Sequence, residues 1–286
     1  MDIKGCMAYA IKIIENIDAE ILLQHTIKKN KTYIHTHPEF KLNKQQEKKY
    51  KKYIFLRKTG LPAAYIVGHK EFYGLNFLVN KKVLIPRPET ELLVEEALLK
   101  LKTKITKHRK KINIIDMGTG SGCIIISIAK NIIDKNIKFY ATDISKKALA
   151  VAQKNVKLNN IYNKIKFIKS DLLKNINSKL YLQNSILIAN LPYLPDNFNK
   201  KNLKYEPACA LYAGKDGLYL YYRLFSEIKK SKYKPEYILL EFGCNQAREL
   251  KKIIKNNLPE YIIKIKKDLA GLNRVIILKN AKLNKI

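Results

Sequence analysis

The chain has 286 residues, 47% of them hydrophobic, enough for a large core arranged as one or two domains. No apolar run approaches the roughly 18 residues that cross a bilayer, and charges interrupt "MDIKGCMAYAIKIIENIDAE" where a secretion signal needs an apolar stretch, so we expect no membrane association and a cytoplasmic location. The formal net charge of +32 rests on 56 basic residues, only six of them arginine, spread along the chain beside many Ile and Asn, which favours compositional drift and leaves direct nucleic-acid binding not required.

From the N-terminus, apolar residues recur at helical spacing in "AYAIKIIENIDAEILLQHTI" and again in "YKKYIFLRKTGLPAAYIV", so residues 1–70 read as a small helical domain. The polar "THPEFKLNKQQEKK" between them reads as a loop leading into a helix. Over residues 71–86, "EFYGLNFLVNKKVLIP" alternates around a glycine and then Asn-Lys-Lys, which reads as a β-hairpin linker between two domains. "PRPETELLVEEAL" opens a helix, with Glu89 and Glu91 in the first turn, where the helix dipole favours acids, and Leu92, Leu93, Ala97 and Leu98 on its buried face. Arg87 and Glu91 fit either a pocket wall or a salt bridge.

Across residues 87–286 the rhythm becomes strand, helix, strand, helix. "INIIDM" reads as a buried strand, "CIIISIAKNI" as a helix, "IKFYATD" as a strand and "SKKALAVAQKNVKLN" as a helix capped by Ser145. "IKFIKSD", "SILIANL" and "YILLEFG" supply further strands, with "GLYLYYRLFSEIKK" a helix before the last of them. "YIIKIKKDLAGLNRVIILK" closes the chain as two strands about a glycine turn, an antiparallel pair. The pattern predicts an α/β fold, a Rossmann-like doubly wound sheet with an antiparallel edge hairpin, preceded by the small N-terminal helical domain. Ligands of such sheets bind beyond the carboxyl ends of the strands.

Three features stand at successive strand ends. "IIDMGTGSGC" places Gly118, Gly120 and Gly122 between the first strand of this sheet and the next helix, where the backbone turns tightly and helix N–H groups face a ligand. The spacing G-x-G-x-G is not the G-x-G-x-x-G of dinucleotide enzymes. The next strand ends in Asp143, suited to accept from both hydroxyls of a ribose or to cap the following helix; the third ends in "SDLL", where Asp171 fits an adenine amino group or a turn, and Leu172 would cover the ring. Together they fit a nucleoside with a small charged tail, S-adenosylmethionine in a class I methyltransferase, with Asp116 near the ammonium of that tail.

At the end of the fourth strand, "ILIANLPYLP" breaks into Asn190, Leu191, Pro192 and Tyr193. An amide or aromatic amine nitrogen is a poor nucleophile because its lone pair is delocalised. Methylating it requires acceptors that hold its N–H groups and stabilise positive charge growing on nitrogen. The Asn190 side-chain carbonyl and the Leu191 backbone carbonyl supply them beside the reacting methyl, and Tyr193 can stack on the planar group. No metal is expected: Cys6, Cys123, Cys209 and Cys244 are scattered without a C-x-x-C pair, and His25, His35, His37, His69 and His108 show no ligand spacing.

The blocks "EFYGLNFLVNKKVLIPRPETELLVEEAL", "GTGSG", "NLPY" and "YEPACALYAGKDGLYLYYRL" resemble the HemK/PrmC family, whose members methylate the side-chain nitrogen of the glutamine in the Gly-Gly-Gln motif of peptide chain release factors. The resemblance runs from about Leu61 to Val275, and "IPRPETE" is its most specific block. It implies that Gly118, Thr119, Gly120, Ser121, Gly122 and Asp143 hold S-adenosylmethionine, that Leu172 lies beside the adenine, and that Asn190 to Tyr193 receive the glutamine. It also implies that residues 1–70 recognise the release factor and residues 87–286 catalyse. The family usually carries Asn-Pro-Pro-Tyr; Leu191 replaces the first Pro here, but it keeps the backbone carbonyl and, preceding Pro192, an extended bias. Asn-Leu-Pro-Tyr also occurs in rRNA adenine N6-methyltransferases, the alternative reading, which lack the "IPRPETE" and "EPACALYAGKDG" blocks. Glu206 and Pro207 of the latter fit either the rim of a substrate entrance or a surface turn.

Overall fold

The computed structural model describes residues 1–107, 111–162, 164–198 and 203–284; His108 lies outside them. Two compact units emerge: Met1–His69 together with residues 203–205, and Lys70–Phe198 with Glu206–Ile286.

The first unit is built from α1 (Ile3–Ala10), α2 (Asn16–Ile27), α3 (Lys31–Thr36), α4 (Lys44–Lys58) and α5 (Ala63–Val67). Short polar side chains start three of them: Asp2, Asn30 and Asn43 each accept from a first-turn N–H, and Gln46 returns the bond to Asn43 in a capping box. Ile3, Cys6, Leu22, Leu23, Tyr50 and Ile54 form its apolar centre. The Tyr50 hydroxyl, buried there, donates to the Ala19 carbonyl at 3.0 Å, which removes the cost of an unpaired polar group. Tyr205 donates to the Thr59 carbonyl at 2.9 Å.

From Lys70 on, the second unit opens with all but the first residue of a two-stranded hairpin, β1 (His69–Phe72) and β2 (Leu75–Leu78). Tyr73 and Gly74 at its turn both have positive φ, the geometry that matches a two-residue turn to strand twist. Residues 79–86 leave the ladder, though Val79, Val83 and Ile85 are buried. A 3-10 turn over Pro88–Thr90 leads into α6 (Glu91–Lys107). The remaining order is β3 (Ile112–Met117), α7 (Cys123–Asn131), β4 (Ile137–Asp143), α8 (Lys146–Leu158), β5 (Ile165–Lys169), α9 (Ser178–Tyr181), β6 (Ser185–Ala189), α10 (Tyr219–Lys230), β7 (Tyr237–Glu241), α11 (Ala247–Asn257), β8 (Tyr261–Lys267) and β9 (Asn273–Asn280).

These strands form one seven-stranded sheet in the order β5-β4-β3-β6-β7-β9-β8, parallel from β5 to β7. β9 runs antiparallel to both β7 and β8, the expected closing hairpin. Alternate side chains divide the core: Ile112, Ile114, Ile186 and Ile188 pack on one face, Ile115, Met117, Leu187 and Ala189 on the other. α11 was not among the sequence expectations. Its "ARELKKIIKNN" is mostly polar, yet Leu250, Ile253 and Ile254 fall at helical spacing and bury one stripe. The chain crosses from β3 toward β4 on one side and toward β6 on the other, so the switch point opens at the carboxyl ends of β3 and β6.

Candidate active site

At the end of β3, Gly118, Gly120 and Gly122 all take positive φ, between 54° and 81°. A Cβ on Gly122 would meet the Ile126 side chain at 3.0 Å and Ala152 at 3.1 Å, so this glycine serves the close packing of α7 on α8. A Cβ on Gly120 would meet nothing nearer than 4.0 Å, which leaves open space above the turn. Thr119 is fastened through its backbone N–H to the Thr142 carbonyl at 2.9 Å and donates its hydroxyl to Asp116 Oδ2 at 2.6 Å. Ser121, buried, lends its carbonyl to the Asn155 amide at 2.8 Å. Asn155 also accepts from the Leu78 N–H at 2.7 Å, joining the turn to the β1–β2 hairpin.

Asp116 is fully buried, and burial pushes its carboxyl up to about 7 despite the Thr119 hydroxyl. Its Oδ1 is buried without a hydrogen-bond partner among the described residues. Asp143, ending β4, accepts from the Gly120 N–H through Oδ2 at 2.9 Å and from the Ser145 N–H through Oδ1 at 2.8 Å. Burial raises its carboxyl and those two N–H groups oppose the rise. Ser145 caps α8, so the aspartate shapes the entry to that helix without being its cap.

Beyond β5, Leu172 has a positive φ and packs its buried side chain in the cluster that holds Met117 and Leu191. Asp171 Oδ2 meets Arg223 of α10 at 2.9 Å and Lys174 at 2.7 Å, and these cations hold its carboxyl below the usual range. Among the described residues no hydrogen bond or ion pair reaches its Oδ1.

At the end of β6, Asn190 donates from Nδ2 to the Thr90 hydroxyl oxygen at 3.1 Å. Among the described residues no donor reaches its Oδ1, so the amide keeps its carbonyl for another molecule. The Leu191 side chain is buried, with a methyl 3.5 Å from where a Cβ on Gly118 would stand. Tyr193 is held at three points. Its hydroxyl donates to Glu241 Oε1 at 3.2 Å. Its carbonyl accepts from Gln246 Nε2 at 2.9 Å, and Gly217 passes so close that a Cβ there would stand 2.2 Å from the same oxygen. After Pro192 and Tyr193 the loop pairs with "LYAG": Leu194 donates to Leu211 and Ala213 donates to Leu194, both at 2.9 Å.

Two residues not singled out from the sequence, Thr90 and Glu241, stand behind this tetrapeptide. Glu241 ends β7 and is fully buried, and burial raises its carboxyl to about 7 against the hydrogen-bonding hydroxyls of Thr90 and Tyr193 and the charge of Arg274. Arg87 and Glu206 join each other at 2.5 Å, and Glu206 also accepts from the Ile85 N–H at 3.1 Å. The nearly buried Glu206 therefore ties the "IPRPE" loop to the "YEPAC" loop, while Glu91 accepts from the Tyr73 N–H at 2.8 Å. No cluster of three His, Cys, Asp or Glu side chains suited to a metal occurs among the described residues.

The family model for the PrmC N-terminal domain matches residues 14–68, and that for ribosomal protein L11 methyltransferase (PrmA) matches residues 95–200. The chain is 37% identical over 262 residues to the release factor glutamine methyltransferase of Coxiella burnetii, covering 91% of this chain and 90% of that protein. It is 37% identical over 265 residues to the protein of the same name from Dictyoglomus turgidum, covering 91% and 89%. The N-terminal domain of human METTL16 in complex with SAH shares the fold, with a TM-score of 0.51 and 18% identity over 72% of this chain and 76% of that one.

Proposed function

The chain belongs to the family of release factor glutamine methyltransferases, and from that premise we infer that its strand-end tetrapeptide receives the glutamine while the glycine turn and the acids beside it hold the methyl donor. It is an S-adenosylmethionine-dependent methyltransferase that acts on a glutamine of peptide chain release factors. The acceptor atom in our reading is the side-chain amide nitrogen of the glutamine in the Gly-Gly-Gln motif.

The open space over Gly120 and the unpartnered, buried Asp116 Oδ1 suit the donor's charged tail, and Asp143 suits a ribose. Asp171 Oδ1 suits an adenine amino group and Leu172 its ring face. When bound, S-adenosylmethionine supplies an electrophilic methyl group on a sulfonium. Asn190 Oδ1 and the Leu191 carbonyl accept the N–H groups of the glutamine amide, turn its lone pair toward that methyl and stabilise the charge that grows on nitrogen. Tyr193, fixed through Glu241 and Gln246, stacks on the amide plane, and Pro192 stiffens the turn. The single observation that carries this assignment is the Asn190 amide, whose donor is occupied by Thr90 and whose acceptor is free.

Residues 1–70 are assigned to release-factor recognition, 71–86 to the linker and 87–286 to catalysis; the match of residues 14–68 to the PrmC N-terminal domain supports the first. Four free cysteines favour a reducing compartment, the cytoplasm. Among the described residues no helix is long and apolar enough to cross a membrane. Incubation with methyl-labelled S-adenosylmethionine and either release factor or rRNA tests the function. Label on the glutamine, absent from a Gln→Ala release factor, is expected; label on rRNA adenine with an unmodified release factor would overturn it.

A further inference from the structure

A leucine with a left-handed backbone persists only where its neighbours hold it there. Leu172, at φ 49°, is held from two sides. Ser170 fastens its loop to the end of β4: the Ser170 N–H donates to the Asp143 carbonyl at 3.0 Å, and the hydroxyl donates to the Leu172 carbonyl at 2.7 Å while accepting from the Asn175 N–H at 3.1 Å. The second hold comes from α10. Arg223 donates to Asp171 Oδ2 at 2.9 Å, and Glu227 Oε2 accepts from the Leu173 N–H at 2.9 Å. The residues before and after Leu172 are therefore bonded to one helix, from positions one turn apart. Arg223 and Glu227 also meet each other at 3.4 Å, and the Arg223 guanidinium lies 5.8 Å from the centre of the Tyr219 ring, so the arginine fork is itself held. Lys174 reaches the same Oδ2 at 2.7 Å, but it belongs to the loop and moves with it, so it cannot anchor the loop to the helix. A guanidinium and a backbone N–H only donate. Both α10 bonds thus have a fixed polarity, and among the described residues they leave Asp171 Oδ1 as an open acceptor.

We propose that Arg223 and Glu227 are positioning residues for the base of the cofactor, holding residues 171–173 so that Asp171 Oδ1 meets the adenine amino group and Leu172 covers the ring. This rests on the reading that Asp171 and Leu172 receive adenine. Neither α10 residue touches the cofactor; each acts through the loop. Without Arg223 the Asp171 carboxyl is free to turn toward Lys174 and water. Without Glu227 the Leu173 N–H is released and Leu172 loses one side of its hold. Selectivity for a purine that carries the amino group then depends on a helix residue 52 positions beyond the acid it orients.

Titration calorimetry on the whole protein tests the proposal with two probes, S-adenosylhomocysteine and its analogue carrying hydrogen in place of the adenine amino group. The parent should bind the analogue about tenfold more weakly, the scale of one hydrogen bond to a charged acceptor. Arg223→Met and Glu227→Ala, at side chains 24% and 25% exposed, should each cut that ratio to about threefold or less by weakening the amino compound alone. Asp171→Ala should remove the ratio. Arg223→Met added to Asp171→Ala should change neither affinity further, because the group it orients is gone. The full parental ratio in Arg223→Met or Glu227→Ala, with both probes weakened alike or not at all, would overturn the positioning role. A ratio near one in the parent, or one that survives Asp171→Ala, would instead bring down the adenine reading on which it rests.

Discussion

The N–H of Gly120 donates to Asp143 Oδ2 at 2.9 Å, so the glycine turn after β3 and the acid ending β4 are one hydrogen-bonded unit. Each Asp143 oxygen already accepts one backbone N–H and retains a second acceptor site. The same carboxylate can therefore set the turn and still hold a ribose.

Asp143→Asn should weaken S-adenosylmethionine binding at least about tenfold, since hydrogen bonds to a charged acceptor contribute roughly 1.5–3 kcal/mol each and the new amide turns an N–H toward Gly120 or Ser145. Titration calorimetry reads the change. Unaltered affinity would leave Asp143 with the turn alone.

The glycines of the turn should separate by effect. Gly122→Ala places its methyl against Ile126 and Ala152 at a positive φ and should cost about 2–4 kcal/mol in urea unfolding. Gly120→Ala meets open space, so its stability loss should be the smaller and its loss of cofactor affinity the larger. The reverse ranking would place the ligand elsewhere.

Leu191→Pro restores the family's usual tetrapeptide and keeps the backbone carbonyl, so single-turnover rate should hold or rise modestly. Its side chain is only 3% exposed, however, and fills space beside Gly118. Thermal denaturation should show a loss of about 1–3 kcal/mol. A large fall in rate with unchanged stability would mean that the leucine side chain itself serves the reaction.

Glu241 makes stability pH-dependent in a definite direction. Its carboxyl titrates near 4.5 when unfolded and at about 7 in the folded chain. The folded state prefers the neutral acid, so this contribution is complete below about 4.5 and is lost as pH rises through about 7. Between about pH 5 and pH 8 the parent should lose up to about 3 kcal/mol relative to Glu241→Gln in paired urea titrations. A constant difference would show that the carboxyl stays ionised throughout.

Local signals made much of this legible in advance. The glycine turn, the strand-end acids and the Asn190 tetrapeptide are contiguous in sequence, and strand alternation gave the sheet around them. What stayed hidden depends on distant pairing. Asn190 and Thr90 are 100 residues apart, and Arg87 and Glu206 are 119 apart. Glu241 reads locally as the polar end of an apolar strand, and nothing in "YILLEFG" reveals that the Tyr193 hydroxyl reaches it. The Asp171 ion pair with Arg223 likewise needed α10 to reach the loop that follows β5.

The most direct measurement is single-turnover methyl transfer to release factor by Asn190→Ala, alongside its affinity for S-adenosylmethionine. If the Asn190 carbonyl stabilises charge that grows only as the methyl moves, the loss belongs to the transition state. The rate should fall roughly 10²–10³-fold, or about 3–4 kcal/mol, with cofactor affinity little changed. A folded Asn190→Ala protein that transfers the methyl group at the parental rate would contradict the account.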